Sequence, residues 1–362
     1  MSENFTGVAG LPPGRPAGLT PGSRLASYYL EDRIGAGGMA VVYRAYDERL
    51  RRPVARKVMS PQAAPDAAFR QRFVLEAQAA AAVDDPHIVL VYEAGEGNGT
   101  LFIAMRYVPA GDVHSLVLRG GPLAPPHALA ILSGVASALD AAHAAGLVHR
   151  DVKPANMLLD VRPGRPDHVY LSDFGLTKGT MATHGFTAAG QFLGTPDYSA
   201  PEQMQAKPTY GRADQYSLAC AAFELLTGAP PYPREQVTAV IWAHMSEAPP
   251  PLSSRVHGLP AAADTVLARA LAKAPGDRYE TCRAFTDALR AALGLEPYSS
   301  GSGSRPPAPP PGVAAWASVP HPGKREQSPA NWCSRAAARP TGWRRMLPAR
   351  AGLPIRADGG CW

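Results

Sequence analysis

The run His149-Arg150-Asp151-Val152-Lys153-Pro154-Ala155-Asn156 brings an acid, two cations and a carboxamide within reach of one reacting group. Asp151 can accept the proton of an attacking hydroxyl, Lys153 can neutralise charge on a phosphoryl group in flight, and Asn156 can offer its carboxamide oxygen to a magnesium ion. Such chemistry also needs a cradle for phosphates, a cation to hold them and a carboxylate for the metal. Gly35, Gly37 and Gly38 supply backbone N–H groups that no Cβ shields, so a loop there can close over phosphates. Because magnesium keeps oxygen ligands and some water, one carboxylate, one carboxamide and the phosphates suffice without a histidine or cysteine cage.

Each of these groups needs an element to aim it. Residues 30–34 and 41–46 alternate as strands around the glycines, and residues 53–59 read as a third strand that carries Lys57 back toward that turn. Residues 69–77 repeat apolar side chains at helical spacing and present Glu76. Two further strands, 88–93 and 101–105, flank a turn between Gly95 and Gly99. Five strands and one helix make a small lobe. Beyond it, the Ala-rich stretch 126–145 is an amphipathic helix that delivers the chain to Asp151, and residues 157–159 pair with 169–171 just ahead of Asp173. Asp214 opens a helix that is apolar nearly all round and therefore buried; helices at 237–245, 261–272 and 282–293 complete a second, helical lobe.

Taken in order, the glycine turn with Val41 and Val42, Val54-Ala55-Arg56-Lys57, Glu76, the His149–Asn156 run, Asp173-Phe174-Gly175 and Ala200-Pro201-Glu202 resemble the motifs of the bacterial eukaryotic-like (Hanks-type) serine/threonine protein kinase family. The resemblance covers residues 28–293. It implies an α+β, bilobal fold, with a small five-stranded β lobe and one helix over 28–108 and a larger, mainly α-helical lobe over 109–293. It implies transfer of the γ-phosphoryl of Mg-ATP to Ser or Thr hydroxyls of proteins, with Asp151, Lys153 and Thr195 around the acceptor and Asn156 and Asp173 as Mg2+ ligands. Lys57 is then the phosphate-binding lysine positioned by Glu76, a pair that a sliding helix makes or breaks. Ile34, Gly35, Gly37, Gly38, Val42 and Ala55 close around the nucleotide, Met105 fills the gatekeeper slot, and the backbone of Tyr107 and Val108 meets adenine. Asp112 receives the ribose hydroxyls or is simply a turn aspartate; Asp214 caps its helix, braces the catalytic loop, or does both. Arg278 is expected to pair with Glu202. Two departures stand out: Ala40 replaces the third glycine, and Ala274 replaces the aspartate of the family's Asp-Pro-x-x-Arg turn.

Between Leu176 and Leu193 the chain is polar and rich in hydroxyls, among them Thr177, Thr180, Thr183 and Thr187. A phosphate there adds about −1.5 to −2 of charge, and the fork-shaped Arg150 is a natural receiver. The resemblance accordingly implies regulation by autophosphorylation, with a kinase homodimer for reaction in trans. Loss of any of Lys57, Glu76, Asp151, Asn156 or Asp173 would favour a nucleotide-binding scaffold instead, and all are present.

A chain of 362 residues with 46% apolar side chains can build a proper core. Its formal net charge of +6 raises a nucleic-acid reading, but the excess sits at one end. From Pro297 onward only Glu326 and Asp358 oppose Arg305, Lys324, Arg325, Arg335, Arg339, Arg344, Arg345, Arg350 and Arg356. A near-neutral body with a basic tail is not a nucleic-acid-binding domain, so no specific nucleic acid is expected as partner; ATP and protein substrates are. Residues 1–27 and the Pro/Gly/Arg-rich tail 294–362 read as a flexible arm and a disordered tail. Trp316, Trp332, Trp343 and Trp362 in that tail fit either a short docking element or a shifted reading frame. Cys220, Cys282, Cys333 and Cys361 lack the close spacing of a zinc motif or a disulfide framework. With neither a secretory signal nor an apolar run of about 18 residues, a cytoplasmic protein with no membrane span is the expectation.

Overall fold

The computed structural model describes residues 19–37, 40–60, 67–174 and 196–298. Strands β1 (Arg24–Leu25), β2 (Tyr28–Ala36), β3 (Ala40–Asp47), β4 (Arg52–Met59), β5 (Val91–Gly97) and β6 (Thr100–Arg106) form one antiparallel sheet in the order β1-β2-β3-β4-β6-β5. Period-two alternation divides its apolar residues between two faces. Leu25, Leu30, Tyr43, Ala45, Val54 and Phe102 pack together on one. On the other, Ala40, Met59, Leu101 and Ile103 meet Phe69, Phe73 and Ala77 of helix α1 (Ala67–Ala81). Register pairs Lys57 with Val42 on one side and Ile103 on the other, which fixes the lysine behind the glycine turn.

Two expectations for this lobe are corrected. The flexible arm expected through residue 27 ends sooner, because β1 pairs with Tyr28 and Tyr29 and Leu25 is buried, giving six strands rather than five. A two-residue strand leaves no alternation to read. The strand expected at 88–93 begins at Val91 instead: Ile88 and Val89 are diverted, with Val89 N–H donating to Leu171 O at 3.0 Å and Leu171 N–H donating to His87 O at 2.7 Å.

The large lobe contains α2 (Val113–Gly120), α3 (Pro125–Ala144), α4 (Pro201–Met204), α5 (Gly211–Thr227), α6 (Val237–Ser246), α7 (Ala261–Ala270) and α8 (Cys282–Ala292), with the hairpin β7 (Met157–Asp160) and β8 (His168–Leu171). Helix α5 is buried along almost its whole length, as its all-round apolar sequence requires, and α3 and α8 pack on it within one continuous core. Gly134 lets α3 approach the hairpin closely: a Cβ there would meet Val169 Cγ1 at 2.7 Å and His87 Nδ1 at 2.8 Å. Arg278 and Glu202 form the expected pair, 2.7 and 2.9 Å apart and both buried, despite the alanine at 274. Among the described residues no helix is long and apolar enough to cross a membrane.

Candidate active site

Helix α3 ends at Ala144 and a turn leads into the His149–Asn156 run, whose shape is imposed from beneath by one buried carboxylate. Asp214, in the first turn of α5 and fully buried, accepts the backbone N–H groups of His149 and Arg150, each at 2.7 Å, and the Nε2–H of His143 at 2.8 Å. Of the two roles open to Asp214, it braces the loop; the α5 N-cap, Tyr210, makes no side-chain cap bond. This bracing accompanies a left-handed Arg150 (φ 63°), a conformation costly for a residue with a Cβ. Gln203 adds a bond from Nε2 to Arg150 O at 3.1 Å.

Asp151 then stands at the floor of the cleft. Lys153 Nζ lies 3.1 Å from its Oδ2. Asn156, in the 3-10 turn Pro154–Asn156, donates from Nδ2 to Asp151 O at 2.8 Å and more loosely to Asp151 Oδ2 at 3.3 Å. Buried His149 joins this loop to the Asp173 segment: Nε2–H donates to Ser172 O at 2.9 Å, Nδ1 accepts Asp151 N–H at 3.2 Å, and the ring lies 4.7 Å from that of Phe174. Burial holds the imidazole below its ordinary pKa, more than the nearby Asp214 raises it, so the ring is neutral and both nitrogens keep these roles.

Asp173 is also left-handed (φ 61°), and its Oδ1 meets Lys57 Nζ at 2.9 Å. Among the described residues the ion pair made by Lys57 is this one with Asp173. Glu76 faces a different cavity, shared with Arg150 and Phe174, while a narrow space lined by Ala80, Val91 and Phe174 lies beside Lys57 and Asp173.

A single cavity of about 860 Å3 between the lobes is lined by most of the predicted residues that the structure describes, Glu76 and Arg150 excepted. Its roof is Ile34, Gly35, Gly37, Val42 and Ala55; its back is Lys57, Met105 and Asp173; its edge is Tyr107, Val108 and Asp112; its floor is Asp151, Lys153, Asn156 and Leu158. Asp112 lines the cavity and is the N-cap of α2 rather than a turn aspartate, accepting Ser115 N–H at 2.8 Å and Ser115 Oγ–H at 2.9 Å. Asn156 donates its amide N–H to Asp151, and among the described residues its Oδ1 and Asp173 Oδ2 show no hydrogen bond. With no His or Cys among the lining residues, this hard oxygen set fits Mg2+. Gly38, Thr177, Thr180, Thr183, Thr187 and Thr195 lie outside the described residues, as does most of the expected tail. Sequence reasoning missed His143 and Gln203, whose parts are visible only once α3, α4 and α5 are folded against the loop.

A six-stranded antiparallel sheet with one helix, set over a helical lobe and enclosing this cavity, is the bilobal α+β kinase fold. The chain belongs to the protein kinase domain family, whose model matches residues 28–289. It is 42% identical over 305 residues to serine/threonine-protein kinase PknJ of Mycobacterium tuberculosis, covering 83% of this chain and 51% of that protein. Over 272 residues it is 43% identical to PknE of the same organism, covering 75% and 47%. The chain thus spans about half the length of the curated relatives it matches. Among solved structures, the PknI kinase domain of M. tuberculosis matches with a TM-score of 0.63 at 37% identity, over 76% of this chain and 100% of that one.

Proposed function

We propose that this chain is a serine/threonine protein kinase that transfers the γ-phosphoryl of ATP to Ser or Thr hydroxyls of proteins. The observation that carries the reading is the convergence on one cavity of a glycine-edged roof, Lys57, Asp173, Asp151, Lys153 and Asn156. Asp151 accepts or orients the proton of the incoming hydroxyl, its own backbone N–H fixed by His149. Lys153, 3.1 Å away, balances charge on the group in transfer, and Lys57 holds the phosphates behind it. Ile34, Val42 and Ala55 cover the base, the backbone of Tyr107 and Val108 hydrogen-bonds its edge, and Asp112 reaches the ribose. Asn156 and Asp173 would hold Mg2+, which when bound neutralises phosphate charge. Catalysis on this account is mainly positioning and electrostatics.

The Lys57–Asp173 contact belongs to the resting state of this device, and movement of α1 brings Glu76 to Lys57. Arg150, which shares a cavity with Glu76 and Phe174, receives a phosphate placed on Thr177, Thr180, Thr183 or Thr187 by a second copy of the chain. The test is phosphate transfer from radiolabelled ATP to a generic basic protein and to the chain itself, comparing wild type with Asp151→Asn. Transfer should fall by about 10²–10⁴-fold while ATP binding persists. Equal transfer by both proteins would overturn the role of Asp151, whereas ATP binding by both without transfer by either, even after activation-loop phosphorylation by another kinase, would favour the scaffold reading.

A further inference from the structure

A second concave site lies on the large lobe, outside the nucleotide cavity. It is a cavity of about 620 Å3 bounded by the end of α3, the beginning of α5 and the beginning of α8. Asp140 and His143 of α3 face Cys282 of α8 there, with one ligand atom from each lying within 4.8 Å of the others. Gly211 preserves the space beside the imidazole, since a Cβ at that position would meet His143 Nδ1 at 2.6 Å. An independent sign comes from Gln215, which lines the same cavity at 1% exposure; among the described residues neither its Nε2 nor its Oε1 finds a partner. A buried amide left unpaired is costly, and a bound ion with its water would satisfy it.

We propose that Asp140, His143 and Cys282 form a Zn2+ site whose fourth position is a water held by Gln215. One thiolate, one imidazole and one carboxylate are a borderline-soft set that suits zinc and not magnesium or calcium. The supporting shell is already built. His143 Nε2–H donates to Asp214 at 2.8 Å, a carboxylate–histidine arrangement that leaves Nδ1 as the ligand atom. Asp140 is fixed by the backbone N–H groups of Cys282 and Arg283 at 2.9 and 3.0 Å, and each of its oxygens keeps a further lone pair for the ion. Binding displaces the Cys282 proton, which burial and then Asp140 otherwise keep on the sulfur. Because Asp214 also holds the backbone of His149 and Arg150, an occupied site fixes one imidazole tautomer directly beneath the catalytic loop.

Titration of the full chain with Co2+, in a Cys333→Ala/Cys361→Ala background, reads thiolate ligation through its sulfur-to-cobalt charge-transfer band. One equivalent is expected. In Cys282→Ala the band should vanish and Zn2+ affinity, measured by chelator competition, should weaken by at least about 10-fold; Cys220→Ala should keep both. Absence of a stoichiometric band, or a band that survives Cys282→Ala, overturns the site. Should Cys282→Ala fail to fold, zinc-edge X-ray absorption on the background protein decides: one sulfur with nitrogen and oxygen donors is expected, and a shell without sulfur refutes it.

Discussion

Two buried arginines, one in each lobe, are held in opposite ways. In the large lobe Arg278 is 2% exposed, yet its guanidinium donates to both oxygens of Glu202 and to the carbonyls of Ala272, Arg212 and Lys273. In the small lobe Arg56 is completely buried, and among the described residues its three guanidinium nitrogens meet no hydrogen-bond acceptor. It lies between two rings instead, with Cζ 4.0 Å from the Tyr28 centroid and 3.6 Å from that of Phe102. One buried guanidinium is held by directional bonds, the other is stacked. That difference suits the division of labour in the cavity. Asp151 and Asn156 sit on a platform that Asp214 holds from below, whereas Lys57 and Glu76 sit on a sheet and a helix that meet through the apolar contacts of Phe69, Phe73 and Ala77. Besides these contacts, Arg70 of α1 pairs with Glu96 of β5 at 2.7 Å, a partly exposed tie unlike the buried bonds under the platform.

The largest effect should come from removing the cross-link. Arg278→Met leaves the Glu202 carboxylate buried without its partner and strands carbonyls that Arg278 now satisfies, so it should cost about 3–5 kcal/mol of stability. Urea denaturation of the two proteins measures it directly. A cost under about 1 kcal/mol would mean that the large lobe is no more cross-linked than the small one.

A smaller effect, also confined to the large lobe, follows from two neutral histidines. Burial pushes His244 down to about 3, and it also lowers His149. In the unfolded chain both titrate near their ordinary value of about 6.5. Below that value the unfolded state binds more protons than the folded one, so stability is complete above it and is lost as pH falls. For His244 the loss continues toward a pH of about 3. Each group contributes a slope of at most about 1.4 kcal/mol per pH unit while its native imidazole stays neutral. Between about pH 7.5 and 5.5, above the ordinary carboxylate range, the denaturation midpoint should therefore drop, and His244→Gln should flatten the drop. An unchanged slope in that variant would assign the acid sensitivity elsewhere.

These residues mark where the sequence was readable. Asp151, Asn156, Asp173, Lys57 and the glycine turn could be found because their chemistry demands fixed types at short spacing, and the structure gathers those of them that it describes into one cavity. The buried α5 and the Arg278–Glu202 pair were equally legible. What escaped depended on contacts distant in sequence. Nothing local distinguishes His143 from any helix histidine until Asp214 arrives from α5, and nothing near Ile88 and Val89 signals that they leave the sheet to pair with Leu171. Helix α2 is short, and its cap, Asp112, reads equally well as a turn aspartate. The Lys57–Asp173 contact depends on how the two lobes are placed, which a motif does not encode.

Arg56→Met should have the smallest effect, and it is the sharpest test of the contrast between lobes. Burial lowers the guanidinium to about 10, the direction expected of a cation whose desolvation outweighs the nearby Tyr28 and Glu93. Methionine retains the stem volume between the rings and forfeits two cation–π contacts, each about 1–2 kcal/mol when desolvated. Against that loss, it removes buried donors that no acceptor satisfies, a cost of about 1–3 kcal/mol. The two nearly cancel, so the variant should lie within about 1 kcal/mol of the wild type, in contrast to Arg278→Met. Tyr28 should keep its bond to Glu93, 2.6 Å in length, because Arg56 donates to neither. If Arg56→Met instead costs as much as Arg278→Met, stacking is as strong a cross-link as the bidentate pair. The small lobe would then be held as rigidly as the platform beneath it.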